Sequence, residues 1–342
     1  MKVSIIGASG YTGRELIRLL MNHPLVELVS ITSRSLAGSS LLSKMPNIGK
    51  NGEKLIFSNP SIEELCDQNE VNLFFLALPH GTAASYAIPL IKAGKKVIDL
   101  SADFRIRSAE IYKEFYGAEH PAPELLEISQ YALPELNTLS WEKSPLLASP
   151  GCYPTSILIP LAPLIKENLV QPDEIVANSM SGVSGAGRNP SEKLLFCERN
   201  ENACAYGLPK HRHLSEIEEQ LGIFNSKPLT LSFHPHLIPV NRGICSTISA
   251  RAVKSVRSSD ILSCWKKHYG NSPFVRILEN QCFPEINHVV RTNVIELGVH
   301  HDLRTNRFIL CSAEDNLVKG AGGQAIQAMN ICQGYPEEAG LT

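Results

Sequence analysis

"KVSIIGASGYTGRELIRLL", residues 2–20, decides how the rest of the chain is read. Lys2 to Ile6 is a short, β-branched run, which predicts a strand. Gly7, Gly10 and Gly13 follow at once. Leu16, Ile17, Leu19, Leu20 and Met21 then recur at helical spacing, up to a stop near His23-Pro24. In a strand–glycine turn–helix unit, backbone N–H groups can approach a pyrophosphate where the helix dipole favours anions. The Gly-x-x-Gly-x-x-Gly spacing is a variant of the dinucleotide fingerprint. Gly7, Ser9, Gly10, Tyr11, Thr12 and Gly13 are therefore the first candidate cofactor contacts. The plain alternative is a tight turn that holds nothing.

Working outward, "LVSITS" (28–33) reads as the second strand, ending where an adenosine ribose would lie. An acidic residue there would suit the ribose hydroxyl of NAD. This chain offers Ser33 and Arg34 instead, a hydroxyl and a guanidinium that suit a 2′-phosphate, so NADP is the expected cofactor. Strand-like "KLIFSN", "VNLFFLAL", "KVIDLSADFR" and "LLAS" alternate with helix-like "SIEELCDQ", capped by Ser61 with Glu64 three residues on, and "AASYAIPLIKAG". Such alternation predicts a Rossmann-type parallel sheet. Ligands bind such sheets at the carboxyl ends of the strands. Leu78–Gly81, Ser101–Arg105 and the stretch Ser149-Pro150-Gly151-Cys152 fall there.

After "TSILIPLAPLIKEN", a helix whose Pro160 and Pro163 predict distortion, the rhythm changes. "EIVANSM", "LTLSFH", "GICSTISARAV", "FVRIL", "TNVIELGVH" and "RFILCSAE" are strand candidates with few helices between them. A second, mostly antiparallel catalytic and assembly domain is expected over 151–316. Residues 1–150 and 317–342 make the α/β cofactor domain, because the closing stretch "GAGGQAIQAM" has small residues suited to close packing. Within the second half, "SGVSGAGR" (181–188) is a glycine-rich loop whose amides could face a phosphate or a nicotinamide amide. A flexible turn is the equal alternative. Ser184 and Gly185, with Asn316 further on, are counted as cofactor contacts.

The 342 residues are 43% hydrophobic and carry a formal net charge of −2. No basic stripe points to nucleic acid, and no apolar run reaches membrane-spanning length. The nine cysteines are scattered and never form Cys-x-x-Cys, which suits reduced thiols in a cytoplasm. His211 and His213, His234 and His236, and His300 and His301 form pairs without completing cysteines or carboxylates, so no metal is expected. Cys152 stands just before a helix start, a position that favours the thiolate. A thiolate, a nicotinamide domain and a histidine together predict reduction of an acyl phosphate, or its reverse, through a thioester. A packed structural thiol is the bland alternative.

Here the sequence resembles the N-acetyl-γ-glutamyl-phosphate reductases of arginine biosynthesis. The resemblance runs nearly end to end, through "GASGYTGRELIRLL", "LPHG", "DLSADFR", "YALPE", "SPGCYPT", "SGVSGAGR", "HRHLSEI", "FHPHLIPVNRGI" and "KGAGGQAIQAMN". It implies that Cys152 is the nucleophile and that a histidine of "HRH" is the acid/base, with His213 preferred and His211 orienting. It also implies a homodimer or homotetramer acting on a small acyl phosphate. Arg105 is a candidate for the substrate carboxylate. Two positions depart from the family pattern: Ser215 replaces a frequent proline, and Arg291 stands where glycine is frequent. The rival readings are a carrier-protein-linked aminoadipyl-phosphate reductase, an aspartate-semialdehyde-dehydrogenase-like enzyme and a non-catalytic NADP sensor.

Overall fold

Strand β1 (Lys2–Ile6) is buried from Val3 to Ile6 because it lies inside a seven-stranded sheet. The computed structural model describes residues 1–136, 141–225, 228–279 and 282–342. It divides into two units, Met1–Pro150 with Ala321–Thr342, and Gly151–Gly320.

In the first unit β1 is followed by α1 (Tyr11–Leu20), β2 (Glu27–Thr32), α2 (Leu41–Lys44), β3 (Phe57–Ser58) and α3 (Ile62–Cys66). Next come β4 (Leu73–Leu76), α4 (Ala83–Lys92), β5 (Lys96–Asp99), α5 (Ala109–Tyr116), β6 (Ser129–Tyr131) and β7 (Leu146–Ala148). The order is β3-β2-β1-β4-β5-β7-β6, and the pairings are parallel throughout. Strands covered on both faces need no alternation, which is why "LFFL" of β4 is buried at every position. Chain order reverses between β1 and β4, the point at which doubly wound sheets take ligands. Edge strand β6 has no apolar run ("SQY") and gave no sequence signal. Helix α3 opens with the expected capping box: Ser61 Oγ accepts from the Glu64 N–H at 3.2 Å, and the Glu64 carboxylate accepts from the Ser61 N–H at 2.7 Å.

The second unit contains α6 (Cys152–Lys166), β8 (Ile175–Gly182), α7 (Phe196–Arg199), β9 (Cys204–Ala205), α8 (His213–Gly222) and β10 (Leu231–Ile238). After these come β11 (Ile244–Arg251), α9 (Ser258–Tyr269), β12 (Val275–Ile277), α10 (Ile286–Val289), β13 (Ile295–Asp302) and β14 (Arg307–Glu314). Its sheet runs β12-β13-β14-β11-β8-β10-β9. It is mixed: β12–β13 and β8–β10 are parallel and the other neighbours antiparallel. In β11 Ile244, Ser246, Ile248 and Ala250 are buried while Cys245, Thr247 and Ser249 are less so, the period-two pattern of a sheet covered mainly on one face.

Helix α6 runs without a break from Cys152 to Lys166 although Pro160 and Pro163 lie inside it. Pro160 and Pro163 lack N–H groups, so the carbonyls of Ser156 and Ile159 lose their helical donors. Ser312 Oγ donates to the Ser156 oxygen at 2.6 Å, and Tyr269 Oη donates to the Ile159 oxygen at 2.7 Å. Side chains from β14 and α9 thus replace both missing bonds. This lets a helix buried along almost its whole length stay regular, with Cys152 as its first residue.

The chain re-enters the first unit at Ala321, a few residues beyond the 317 expected, and forms α11 (Gly323–Gln333). Within that unit, Asn330 of α11 and His23, just after α1, share a hydrogen bond of 2.9 Å.

Candidate active site

In the first unit the turn from β1 to α1 requires two of its glycines for packing. Gly7 has φ +88°, and a Cβ there would sit 2.4 Å from the Ala77 carbonyl oxygen. A Cβ at Gly13 would sit 2.7 Å from the Ala8 Cα. Gly10 caps α1 with extended backbone, and no side chain takes the cap hydrogen bond. Tyr11, Thr12 and Gly13 open the helix, with Ser9 in the turn before it, and the first turn contains no acidic residue. The first N–H groups of a helix have no partner inside it. This start, fitted at the β1–β4 reversal, suits a dinucleotide pyrophosphate. At the end of β2, Ser33 is buried and its N–H donates to the Ser58 oxygen at 2.9 Å. Arg34 is exposed, and its Nη2 donates to Tyr86 Oη at 3.3 Å.

Arg105 lies at the carboxyl ends of the strands. Its side chain is buried, with Nε donating to the Ser149 oxygen at 2.7 Å and Nη2 to the Leu100 oxygen at 2.8 Å. These bonds tie together the ends of β5 and β7.

The second unit builds its site around two helix starts. Cys152 is the first residue of α6, after the Gly151 cap. His213 is the first residue of α8. The Gly151 N–H donates at 2.8 Å to Oε1 of Glu216, a fully buried carboxylate in the first turn of α8. One hydrogen bond therefore fastens the cap before Cys152 to the helix that carries His213. Tyr153, next to Cys152, meets the rings of His211 and His213 edge-on at 5.6 and 5.9 Å, and its hydroxyl pairs with that of Tyr206 at 2.8 Å.

His211 accepts from the His213 N–H at its Nδ1, at 3.1 Å. Burial, helped by the charge of Arg212, depresses its pKa to about 4. His211 is therefore neutral near pH 7, with its proton on Nε2. Burial raises both tyrosine hydroxyls, that of Tyr206 to about 12, so neither ionises near neutrality. The opposite wall is Gly320. A Cβ there would lie 2.7 Å from Cys152 Cβ and 2.9 Å from Oε1 of the buried Glu314.

Ser184, Gly185 and Asn316 come together in the same unit. Asn316 Nδ2 donates to Ser184 Oγ at 3.0 Å, and its Oδ1 accepts from the Gly243 N–H at 2.8 Å. A Cβ on Gly185 would lie 3.6 Å from Asn316 Nδ2. The buried amide of Asn316 therefore shapes the Ser181–Arg188 loop. Among the described residues no group of three or more His, Cys, Asp or Glu side chains could hold a metal, and no helix is long and apolar enough to cross a membrane.

Comparison with known proteins agrees with this geometry. Residues 2–144 match the family model for the semialdehyde dehydrogenase NAD binding domain, and residues 152–316 match that for the semialdehyde dehydrogenase dimerisation domain. The N-acetyl-γ-glutamyl-phosphate reductase of Akkermansia muciniphila is 49% identical over all of this chain and 98% of its own length. The chain belongs to the N-acetyl-γ-glutamyl-phosphate reductase family. Relatives of that name from Desulfotalea psychrophila and Acetivibrio thermocellus are 47% and 42% identical, over 100% and 99% of this chain and 98% and 97% of their own. Among solved structures, aspartate semialdehyde dehydrogenase II of Vibrio cholerae superposes with a TM-score of 0.74 at 17% identity, over 96% of this chain and 97% of that one. The Candida albicans enzyme, solved with NADP, gives 0.67 at 15% identity, over 97% and 98%. These two show the fold alone. The protein is an oxidoreductase of the semialdehyde dehydrogenase group with a nicotinamide-binding domain.

The two departures from the reductase pattern now have physical readings. Ser215 is buried in the first turn of α8, and its hydroxyl donates to the Arg212 oxygen at 2.9 Å, so the helix still starts at His213. Arg291 has φ +69°, a conformation glycine adopts without steric cost, and its N–H is held by the Asp315 carboxylate at 2.6 Å. Glu216, Tyr206, Glu314 and Gly320 were not singled out from sequence. Only Glu216 had a local signal, three residues after His213 and so on the same helix face.

Proposed function

We propose that this protein reduces N-acetyl-γ-glutamyl phosphate to N-acetylglutamate 5-semialdehyde with NADPH, through a thioester on Cys152. The observation that carries the reading is the fastening of two helix starts, Cys152 at one and His213 at the other, through Gly151 and Glu216.

The Cys152 thiolate attacks the acyl carbon, and the C–O bond to phosphate breaks, releasing inorganic phosphate and leaving a thioester. The bound reduced nicotinamide supplies the hydride for the thioester carbonyl. Protonated His213 stabilises the resulting oxyanion by donating a hydrogen bond to it and keeps its proton. When that oxyanion reforms the carbonyl, Cys152 leaves as thiolate and the semialdehyde departs. His211, neutral and accepting from the His213 N–H, fixes the start of α8 instead of competing for that proton. Glu216 holds the Gly151 cap so that Cys152 stays at the positive end of α6.

On the cofactor side, the glycine turn takes the pyrophosphate, and Arg34 with Ser33 takes the 2′-phosphate that makes NADP the preferred form. Ser184, Gly185 and Asn316 are proposed as the contacts to the nicotinamide end. Arg105, held by the Ser149 and Leu100 oxygens at the carboxyl ends of β7 and β5, is proposed to take the substrate carboxylate. The chain works as a homo-oligomer through its dimerisation domain.

The direct test is phosphate-dependent reduction of NADP with N-acetylglutamate semialdehyde. Activity that needs phosphate, or arsenate in its place, supports the reading; turnover with neither, or only with aspartate semialdehyde, rejects it. Arg34→Ala should weaken NADPH about tenfold more than NADH; equal weakening would remove Arg34 from the 2′-phosphate site.

A further inference from the structure

Helix α4 starts without a cap of its own. Its N-cap residue, Thr82, makes no side-chain hydrogen bond to the first turn. A carboxylate from elsewhere does that work. Asp103 is fully buried beyond the end of β5, and its Oδ1 accepts from the Gly81 N–H at 2.6 Å while its Oδ2 accepts from the Ala84 N–H at 3.4 Å. Tyr112 Oη of α5 donates to the same Oδ1 at 3.0 Å. His120 Nε2 donates to the Asp103 backbone oxygen, so the residue is held at both ends.

What Asp103 grips is the turn from Ala77 to Gly81. That turn begins at the carboxyl end of β4: the Ala77 N–H donates to the Ile6 oxygen at 2.8 Å, and the Ala77 oxygen is the atom that a side chain at Gly7 would strike. The turn therefore backs directly onto the glycine turn. Gly81 closes it at φ +77° with open space around its Cα, so conformation and not packing selects glycine there. A second contact line reaches the same turn, because Tyr112 stacks on Tyr116 with ring centroids 4.6 Å apart and Tyr116 meets the His80 ring at 5.5 Å.

We propose that Asp103 is a positioning residue for the cofactor: its buried carboxylate caps α4 from outside the helix and fixes the Leu78–Gly81 turn against the glycine turn in the shape that nicotinamide dinucleotide needs. The inference rests on the cofactor reading given above. A carboxylate can accept from three donors at once and does so with charge-assisted bonds. An amide in its place presents one oxygen and no charge, so the turn gains alternatives that cofactor binding must then overcome.

The test is equilibrium binding of NADPH, followed by its own fluorescence, to wild type, Asp103→Asn and Tyr112→Phe, with KM for the acyl phosphate measured alongside. Asp103→Asn should raise the NADPH Kd about tenfold and Tyr112→Phe about threefold, while KM for the acyl phosphate changes less than about twofold. Should Asp103→Asn fail to fold, the Tyr112→Phe value decides. An unchanged NADPH Kd in the folded variants, with only melting temperature lowered, would show a purely structural carboxylate and overturn the proposal. A rise in acyl-phosphate KM instead of NADPH Kd would also overturn it. If wild type binds neither NADPH nor NADH, the cofactor reading itself fails, and this inference with it.

Discussion

Helices α1 and α6 both begin at a glycine cap with extended backbone, Gly10 and Gly151, yet they build their sites from opposite materials. Around α1 the proposed site is backbone: glycines clear the way, and N–H groups would do the binding. Around α6 the site is side chain: Cys152 lies beside Tyr153 and close against Gly320, which Glu314 also approaches, and its cap is tied to Glu216. The first kind tolerates many side chains so long as a few positions stay small. The second depends on individual groups that no backbone can replace. Substitutions should therefore divide sharply between the two.

The largest effect should come from Cys152→Ser. A hydroxyl is far less ionised than a thiol at the same pH, so turnover should fall by at least about a thousandfold. NADPH binding, measured by fluorescence titration, should not change. Near-normal turnover would make the α6 start as tolerant as the α1 start and end the contrast. Next is His213→Asn, expected to lower kcat by roughly a hundredfold to ten-thousandfold, the range for loss of an acid/base. His211→Asn should do less, because His211 is already neutral. A larger loss for His211→Asn would exchange the two roles.

Gly320→Ala sharpens the comparison, since here a glycine serves the side-chain site. The added Cβ would meet Cys152 Cβ at 2.7 Å. Displacing a nucleophile by about 1 Å can cost about a hundredfold in rate, so kcat should fall by that order with the fold retained. Wild-type kinetics would show that Cys152 has room to move.

The last effect lies in stability and leaves turnover aside. Asp99 is fully buried, and its pKa is raised to about 7 by burial and by the neighbouring charge of Asp103. The folded state thus holds a proton that the unfolded state releases near pH 4. The stabilisation is complete below that and is lost as pH rises through about 7, at roughly 1 kcal/mol per pH unit across the window. Asp99→Asn should remove this slope, so urea unfolding should show the variant gaining on wild type from pH 4 to pH 8. Parallel pH profiles would exclude the linkage.

The same contrast explains what was legible in the sequence. The glycine turn was readable from 19 residues because strand, turn and helix are adjacent in the chain, and the parallel sheet from the strand–helix alternation that follows. Cys152 and the histidines were readable as residues, and their motifs carried the family. Their arrangement was not: Glu216 lies 65 positions from the Gly151 that it holds. The continuity of α6 past its prolines was not legible for a related reason. Proline predicts a lost hydrogen bond locally, while the replacement donor for Ser156 arrives from Ser312, 156 residues on. Edge strand β6 was missed because a short polar strand at a sheet edge carries no apolar pattern.

The central claim is that Cys152 becomes acylated, and it can be observed without any turnover. Wild-type protein is mixed with N-acetyl-γ-glutamyl phosphate in the absence of nicotinamide, quenched in acid, and analysed by intact mass and peptide mapping. Wild type should carry one N-acetylglutamyl group per chain, on the peptide containing Cys152, with release of one phosphate and loss of the adduct when NADPH is added before the quench. No adduct in wild type, or an adduct that persists in Cys152→Ser, would contradict it.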